Sequence, residues 1–491
     1  MEYERFKKLA EEYTVVPVYE KITADLLTPV LAFLKLRQKN KYCFLLESVE
    51  GIGRLARYSF VGRDPMKVIR SRKQEISILH DQRLEYKQGN LFTYLQQEIA
   101  GFKRPPIEDL PDFTGGIVGY LGYENIALIE DVIKFKRHQE IDTPDAVFAI
   151  YNTVLVFDHY KHQLILIKNV LTTKHKDLHH AYQSARSELQ QLHQELVKPI
   201  PYRSDFHFQL LGQKERDSVF MDLIDQAKEN IRAGDIFQIV LSRRFAATFQ
   251  GDLLNVYRAL RIINPSPYMY YMELGDDLTI IGTSPEDLLK VSKRRVTILP
   301  IAGTRRRGKD EVEDRRLEAE LLADPKERAE HVMLVDLARN DLGRICKFDS
   351  IHLSEEMKVQ RYSHVMHIVS RVEGELREDQ DCIDALKACF PAGTLTGAPK
   401  IRAVQLIDTY ESMTRNVYGG AVGYIDFGGN LDMCIAIRTL FARKDKIYWQ
   451  AGAGIVADSQ AQLEIKEIEN KSAVMLQALK YAEDIDEDPG H

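Results

Sequence analysis

Residues 418–452, YGGAVGYIDFGGNLDMCIAIRTLFARKDKIYWQAG, decide how the chain is read. Three β-rich runs, 418–426, 431–442 and 447–452, are separated by turn signals, the first of them FGGN at 427–430. That pattern predicts an antiparallel meander. The middle run is apolar on both alternating faces, as in a strand buried on both sides. Arg438 sits inside it. A buried guanidinium needs an anion: either a protein carboxylate or a substrate carboxylate gripped by two parallel hydrogen bonds.

Outward from the meander, a long helix is expected from about Ser459 to Asp484. Upstream, Phe390 to Lys400 is a Gly/Thr/Pro loop opening a helix with Pro399 at its first position. Strands are expected at 236–245, 296–300 and 361–372, with a helix at 217–233. The first ~165 residues read mostly as strands with short helices, including 42–46 and the run 147–157. A polar helix covers 176–197 and a linker 202–212. This order divides the chain into an N-terminal region (14–165), a helix and linker (166–213) and a C-terminal region (214–483). Strands cluster with little βαβ alternation. The expected class is α+β, with large mixed or antiparallel sheets packed face to face and helices outside.

The chain has 491 residues, a net charge of −6, 44% hydrophobic and 29% charged residues, which suits a globular protein with a sizeable core. The acidic balance argues against nucleic acid as partner. No apolar run approaches the ~20 residues of a membrane span. Five cysteines without CxxC spacing argue against a disulfide framework or thiolate zinc site, and the charged N-terminus is unlike a signal peptide. A cytoplasmic setting is expected.

Chemistry is suggested by two helices. Asp324-Pro325-Lys326-Glu327 is a helix start, with Asp324 as N-cap and Glu327 at N3. Glu327 and Glu330 are i,i+3 neighbours there; Glu464, Glu467 and Lys471 share one stripe of the last helix. Two Glu-x-x-Glu pairs suit a hard cation such as Mg²⁺. The alternative is plain capping and a surface Glu467–Lys471 pair. The loops 393–397 and 452–454 offer free N–H groups to an anion, or simply turn. His364 and His367, three apart on a strand, face opposite sides; either is a structural histidine or a general base.

Taken together, the segments FQIVLSRRF (237–245), NPSPYMYY (264–271), GTSPE (282–286), PIAGTRRRG (300–308), ERAEHVMLVDLARNDLGR (327–344), FPAGTLTGAPK (390–400), IAIRT (435–439) and AGAGIVADS (451–459) resemble the chorismate-utilising enzymes. Within them the pattern is most similar to the anthranilate synthase component I family, whose own N-terminal pattern is matched by LLES at 45–48. The resemblance implies that ammonia adds to C2 of chorismate as the C4 hydroxyl leaves, giving aminodeoxyisochorismate, and that pyruvate is then eliminated to leave anthranilate. It implies Mg²⁺ bound directly by Glu330 and Glu467, with Glu327 and Glu464 in support and Lys471 balancing charge. Gly303 and Thr304 would contact chorismate near its ring carboxylate. Tyr418, Arg438 and the Gly452, Ala453 and Gly454 backbone would hold the enolpyruvyl carboxylate. His367 would be the base and Thr394 would bond near the leaving hydroxyl.

Gln238 stands where isochorismate and salicylate synthases place a water-activating lysine, and Ala302 where aminodeoxychorismate synthases place a nucleophilic lysine. Both favour ortho amination. The chain lacks a glutaminase Gly-x-Cys-x-Gly motif, so a glutamine amidotransferase partner, component II, is implied, in a heterotetramer. Glu47, Ser48, Pro267, Tyr268, Met269 and Cys434 would bind tryptophan as feedback inhibitor, with Cys434 and Arg438 on one face of one strand. The alternatives are an aminodeoxychorismate synthase and a catalytically silent chorismate- or tryptophan-binding regulator.

Overall fold

The computed structural model describes residues 1–37, 41–50, 54–55, 57–136, 139–200, 205–212, 216–361 and 365–485. His364 lies outside the described residues.

Two twelve-stranded sheets form the centre. The first runs 15–23, 163–171, 153–158, 58–63, 43–47, 268–273, 278–284, 439–443, 446–455, 238–251, 206–210. The second runs 301–306, 365–375, 295–298, 287–292, 431–435, 421–426, 116–121, 146–151, 67–72, 75–80, 83–88. Strands 397–398 and 352–361 are added to 238–251 and 365–375. Strands from both ends of the chain share each sheet: 43–47 pairs with 268–273, with Glu47 opposite Met269. The pairings around the site are antiparallel.

The inner faces meet in one apolar layer, where Phe44, Tyr270 and Phe441 of the first sheet pack with Val68, Val147 and Cys434 of the second. Helices cover the outer faces. Leu178–Val197 and Ala461–Asp484 bury Leu189 and Leu479 on the first sheet. Pro325–Gly343 and Cys382–Cys389 bury Leu342 and Leu386 on the second. The five cysteines are buried and unpaired. Among the described residues no helix is long and apolar enough to cross a membrane.

Two of the helices around the site, one of them carrying Glu327 and Glu330, start as their sequences dictate, or nearly so. The Asp324 carboxylate accepts the N–H groups of Lys326 and Glu327 at 2.9 and 3.3 Å, and Pro325 needs no partner at the first position. Pro399 is itself the N-cap of Lys400–Tyr410, one position earlier than expected.

Three apolar runs cross between the sheets. Residues 146–151 lie in the second sheet and 153–158 in the first. Residues 278–284 lie in the first and 287–292 in the second. The run 431–442, expected as one strand, is broken at 436–438: 431–435 belongs to the second sheet and 439–443 to the first. Arg438 has φ +47°, which ends any extended strand there. Cys434 and Arg438 therefore do not share a strand face.

Candidate active site and a second cavity

The crossings place chemistry where the sheets diverge. A cleft of about 780 Å³ is lined by Gln238, Gly303, Thr304, Glu330, His367, Thr394, Arg438, Gly454, Glu464, Glu467 and Lys471. An inner compartment of about 140 Å³ continues from it, sharing Thr394, Arg438, Gly454 and Lys471 and adding Tyr418 and Gly452. Segments far apart in sequence thus converge on one volume. Ala453 packs its side chain into the core with Ile239 and Leu241.

Glutamates stand at the mouth. Glu330 and Glu467 are exposed and Glu464 half-buried. Although Glu330 as a residue is exposed, the cleft strips water from its carboxyl and pushes its pKa up, and the charges of Glu327 and Glu467 add to the rise. The Glu464 carboxyl is pushed up by burial, with Glu467 adding to the rise. Mutual repulsion among all-oxygen donors is the electrostatic setting that a hard dication relieves. Two of the four are held by cations: Glu327 by Arg305 at 3.1 Å and Glu467 by Lys471 at 2.7 Å. The expected Glu327 capping-box role is thus replaced by an ion pair. Among the described residues, no group of three or more His, Cys, Asp or Glu side chains is gathered tightly enough to hold a metal as it stands.

His367 lies on strand 365–375 opposite Thr304. Its Nδ1 is 2.9 Å from the Gly303 carbonyl and 3.1 Å from Thr304 Oγ1. A carbonyl only accepts, so Nδ1 carries the proton and Nε2 the basic lone pair. Burial lowers its pKa, partly offset by the bond to Gly303. Gly303 has φ +67°, and a Cβ there would lie 3.1 Å from Glu327 Oε2. Glycine lets the backbone pass between the helix and the histidine strand.

At the inner end, Lys471 Nζ donates to the Gly452 carbonyl at 2.9 Å. A Cβ on Gly452 would stand 2.7 Å from the Tyr418 hydroxyl, so only glycine allows this approach. Burial lowers the Arg438 pKa, and Glu286 opposes that shift. Glu286 is therefore the protein carboxyl facing Arg438. It lines both the cleft and the inner compartment and accepts from Thr394 Oγ1 at 3.3 Å. Burial raises its pKa, against Arg438 and Lys471. Sequence reasoning quoted Glu286 within GTSPE without assigning it a role. Its signal was the adjacent pair Glu286-Asp287, the only charges in the stretch 278–289.

A second cavity, about 670 Å³, is lined by Glu47, Ser48, Pro267, Tyr268, Met269 and Cys434, together with Asp287 and Asp432. It shares Pro267, Pro285 and Ile301 with the cleft. The Glu47 carboxylate is already engaged, by Tyr257 Oη at 2.6 Å and Arg261 Nε at 2.9 Å. Asp432 accepts from Tyr268 Oη at 2.9 Å and pairs with Lys290 at 3.2 Å. Asp287 is buried with Oδ1 unpartnered among the described residues, and its pKa is raised to about 8 by burial and then by Asp432.

The chorismate binding enzyme family matches residues 41–477. Anthranilate synthase component 1 of Acetivibrio thermocellus is 42% identical over 490 residues, covering 98% of each chain. That of Aquifex aeolicus is 41% identical and covers 99% of each. The crystal structure of anthranilate synthase component I from Streptococcus pneumoniae superposes with TM-score 0.77 at 37% identity, over 93% of this chain and 99% of that one. The menaquinone-specific isochorismate synthase of Escherichia coli shares the fold, with TM-score 0.71 at 18% identity over 97% and 98% of the chains. The chain belongs to the chorismate-binding enzymes, and within them to the anthranilate synthase component I family. It is a chorismate-utilising enzyme of the anthranilate synthase large-subunit type.

Proposed function

We propose that the cleft holds chorismate between its glutamates and Arg438 and converts it, with ammonia and Mg²⁺, to anthranilate and pyruvate. The observation that carries this reading is the division of charge: Glu330, Glu464 and Glu467 line the outer cleft alone, whereas Arg438 and Lys471 reach the inner compartment, where Glu286 is the one carboxyl among the described residues. A dicarboxylate with one metal-bound end and one guanidinium-bound end fits that division.

Glu330 and Glu467 would hold Mg²⁺, with Glu327 and Glu464 behind them. The ion supplies Lewis-acid polarisation of the ring carboxylate. Arg438, Tyr418 and the Gly452–Gly454 backbone hold the enolpyruvyl carboxylate. Gln238, a neutral amide, leaves ammonia free to attack C2 with its lone pair. Both ring double bonds shift by one position, the C4–O bond breaks, and the added nitrogen gives up a proton to become the amine. Glu286, whose pKa burial raises, is placed to give a proton to the departing hydroxyl, which leaves as water, with Thr394 orienting the carboxyl. His367 Nε2 then takes the C2 proton. The C–O bond to the enolpyruvyl group breaks, the ring becomes aromatic, and enolpyruvate gains a proton to become pyruvate.

Ammonia would come from a glutamine amidotransferase subunit, component II, in a cytoplasmic heterotetramer. Tryptophan would bind the second cavity as feedback inhibitor, within a regulatory region drawn from residues 14–165. Glu47, Asp432 and Asp287 are the carboxyl groups lining this cavity that a ligand ammonium would meet, the first two already paired with Arg261 and Lys290. Purified chain with chorismate, Mg²⁺ and ammonium should release anthranilate, followed by its fluorescence. With glutamine alone it should not, until the partner is added. Turnover of glutamine by the pure chain would sink the two-subunit reading.

A further inference from the structure

The inner compartment has a rear wall as well as a mouth. It lies on one face of the 238–251/446–455 ladder, where Val240, Ser242 and Arg244 stand opposite Gly454, Gly452 and Gln450. Gln450 lines both this compartment and the next cavity, about 400 Å³, which Ser242 and Arg244 of this face and Leu241 and Arg243 of the other also line. That cavity shares Arg244 with a further one of about 780 Å³, which reaches Leu210, 48% exposed at the surface. A row of spaces therefore runs from Arg438 to the protein's exterior, interrupted at Gln450.

The interruption is lightly fastened. Gln450 Nε2 donates to Ser242 Oγ at 2.7 Å. Its Oε1 is buried and has no partner among the described residues. Swinging the amide aside breaks one hydrogen bond between neutral groups, a small net loss. Ser242 keeps its bond to Glu411, whose charge is offset by Arg415 at 2.6 Å. Beyond the amide, Arg244 presents a buried Nε with no partner among the described residues. A small anion leaving one guanidinium would meet a second.

Pyruvate is formed at the inner end, behind the ring. Anthranilate, its carboxylate turned to the glutamates, stands between pyruvate and the mouth. We infer that pyruvate leaves through the rear wall, past Gln450 into the space lined by Arg244, without waiting for anthranilate to go. This rests on the proposed orientation of chorismate, with its enolpyruvyl group at Arg438.

The full chain, with Mg²⁺ and ammonium, tests it. Gln450→Phe should plug the wall. Single-turnover formation of anthranilate should stay within about twofold of wild type, while steady-state kcat falls about tenfold or more. Unchanged steady-state turnover, or an equal fall in both phases, overturns the exit. Wild type gives a second reading independent of any variant. Labelled pyruvate should bind to and exchange from enzyme saturated with anthranilate; exchange abolished by anthranilate means that pyruvate uses the mouth, and the inference fails. Arg438→Gln separates the two layers: it should weaken pyruvate binding about tenfold. If pyruvate affinity does not move, the orientation is what fails, whatever Gln450→Phe shows.

Discussion

Glu286 and Asp287 are neighbours in the chain, yet Glu286 lines the cleft beside Arg438 and Asp287 lines the second cavity beside Cys434. The turn from the first sheet into the second separates them. Ile435 donates to the Glu286 carbonyl at 3.0 Å, so the strand carrying Cys434 is tied to the same point. A ligand that shifts Asp287 or Cys434 has one peptide's distance through which to move a cleft carboxyl. This is a shorter link than a single strand from Cys434 to Arg438, which the break at 436–438 removes.

Glu286→Gln should separate the two cavities functionally. A neutral amide cannot give up a proton, so kcat should fall about a hundredfold or more, with tryptophan affinity within about twofold of wild type. Calorimetry and steady-state kinetics on one preparation measure both. Near-normal kcat excludes Glu286 as the proton donor.

Glu330→Gln and Glu467→Gln each remove one charge from the metal end. Activity should become more dependent on Mg²⁺ concentration, with a loss of about a hundredfold when Mg²⁺ is low, and chelation should silence the wild type. Both variants retaining ordinary turnover at low Mg²⁺ rules against these ligands.

His367→Ala should slow elimination more than amination, because only elimination needs a base at C2. Aminodeoxyisochorismate should accumulate and be seen by chromatography. Equal loss of both steps assigns His367 to structure.

Asp287 gives a pH signature. Its folded pKa, about 8, exceeds the ~3.9 of an unfolded aspartate. Between those values the folded state holds the extra proton, so its contribution is fully present below about pH 4 and is lost as pH rises toward 8. Asp287→Asn stays neutral throughout. Its Tm relative to wild type should therefore rise steadily from about pH 5 to about pH 8.5. A difference that is flat across this range contradicts the burial of an ionisable Asp287.

Ser48→Arg should fill the second cavity with bulk and charge. Tryptophan binding should weaken at least tenfold in calorimetry, with ammonium-dependent turnover retained. Coupling is reciprocal for binding, so saturating chorismate should weaken tryptophan binding in the wild type by the factor with which tryptophan weakens chorismate. Full tryptophan sensitivity in Ser48→Arg removes this cavity from consideration.

The helices were legible because their signals are local: a cap at Asp324, a proline beside it, an apolar stripe through Ile465, Ile468 and Leu479. The strand crossings were not. At 146–158 and 431–443 an apolar run passes from one buried sheet face to another, and nothing in hydrophobicity alone marks the bend. Arg438 was legible as a buried cation needing an anion; its left-handed backbone and its facing carboxyl, Glu286, depend on which sheets meet there. Glu47 looked available in sequence because Arg261, which holds it, lies 214 residues away.

The pairing of strand 43–47 with 268–273 has a consequence for synthesis. Cys43 and its partner Glu273 are 230 residues apart, so on the ribosome the earlier strand waits about 10–50 s for its neighbour at ~5–20 residues per second. Until then one edge of an apolar strand has unpaired N–H and C=O groups, the kind of edge that recruits other chains. The nascent protein thus carries this unpaired edge through the middle of its translation. Slowing elongation between codons 47 and 268 should lower the yield of folded protein more than the same delay placed after codon 455.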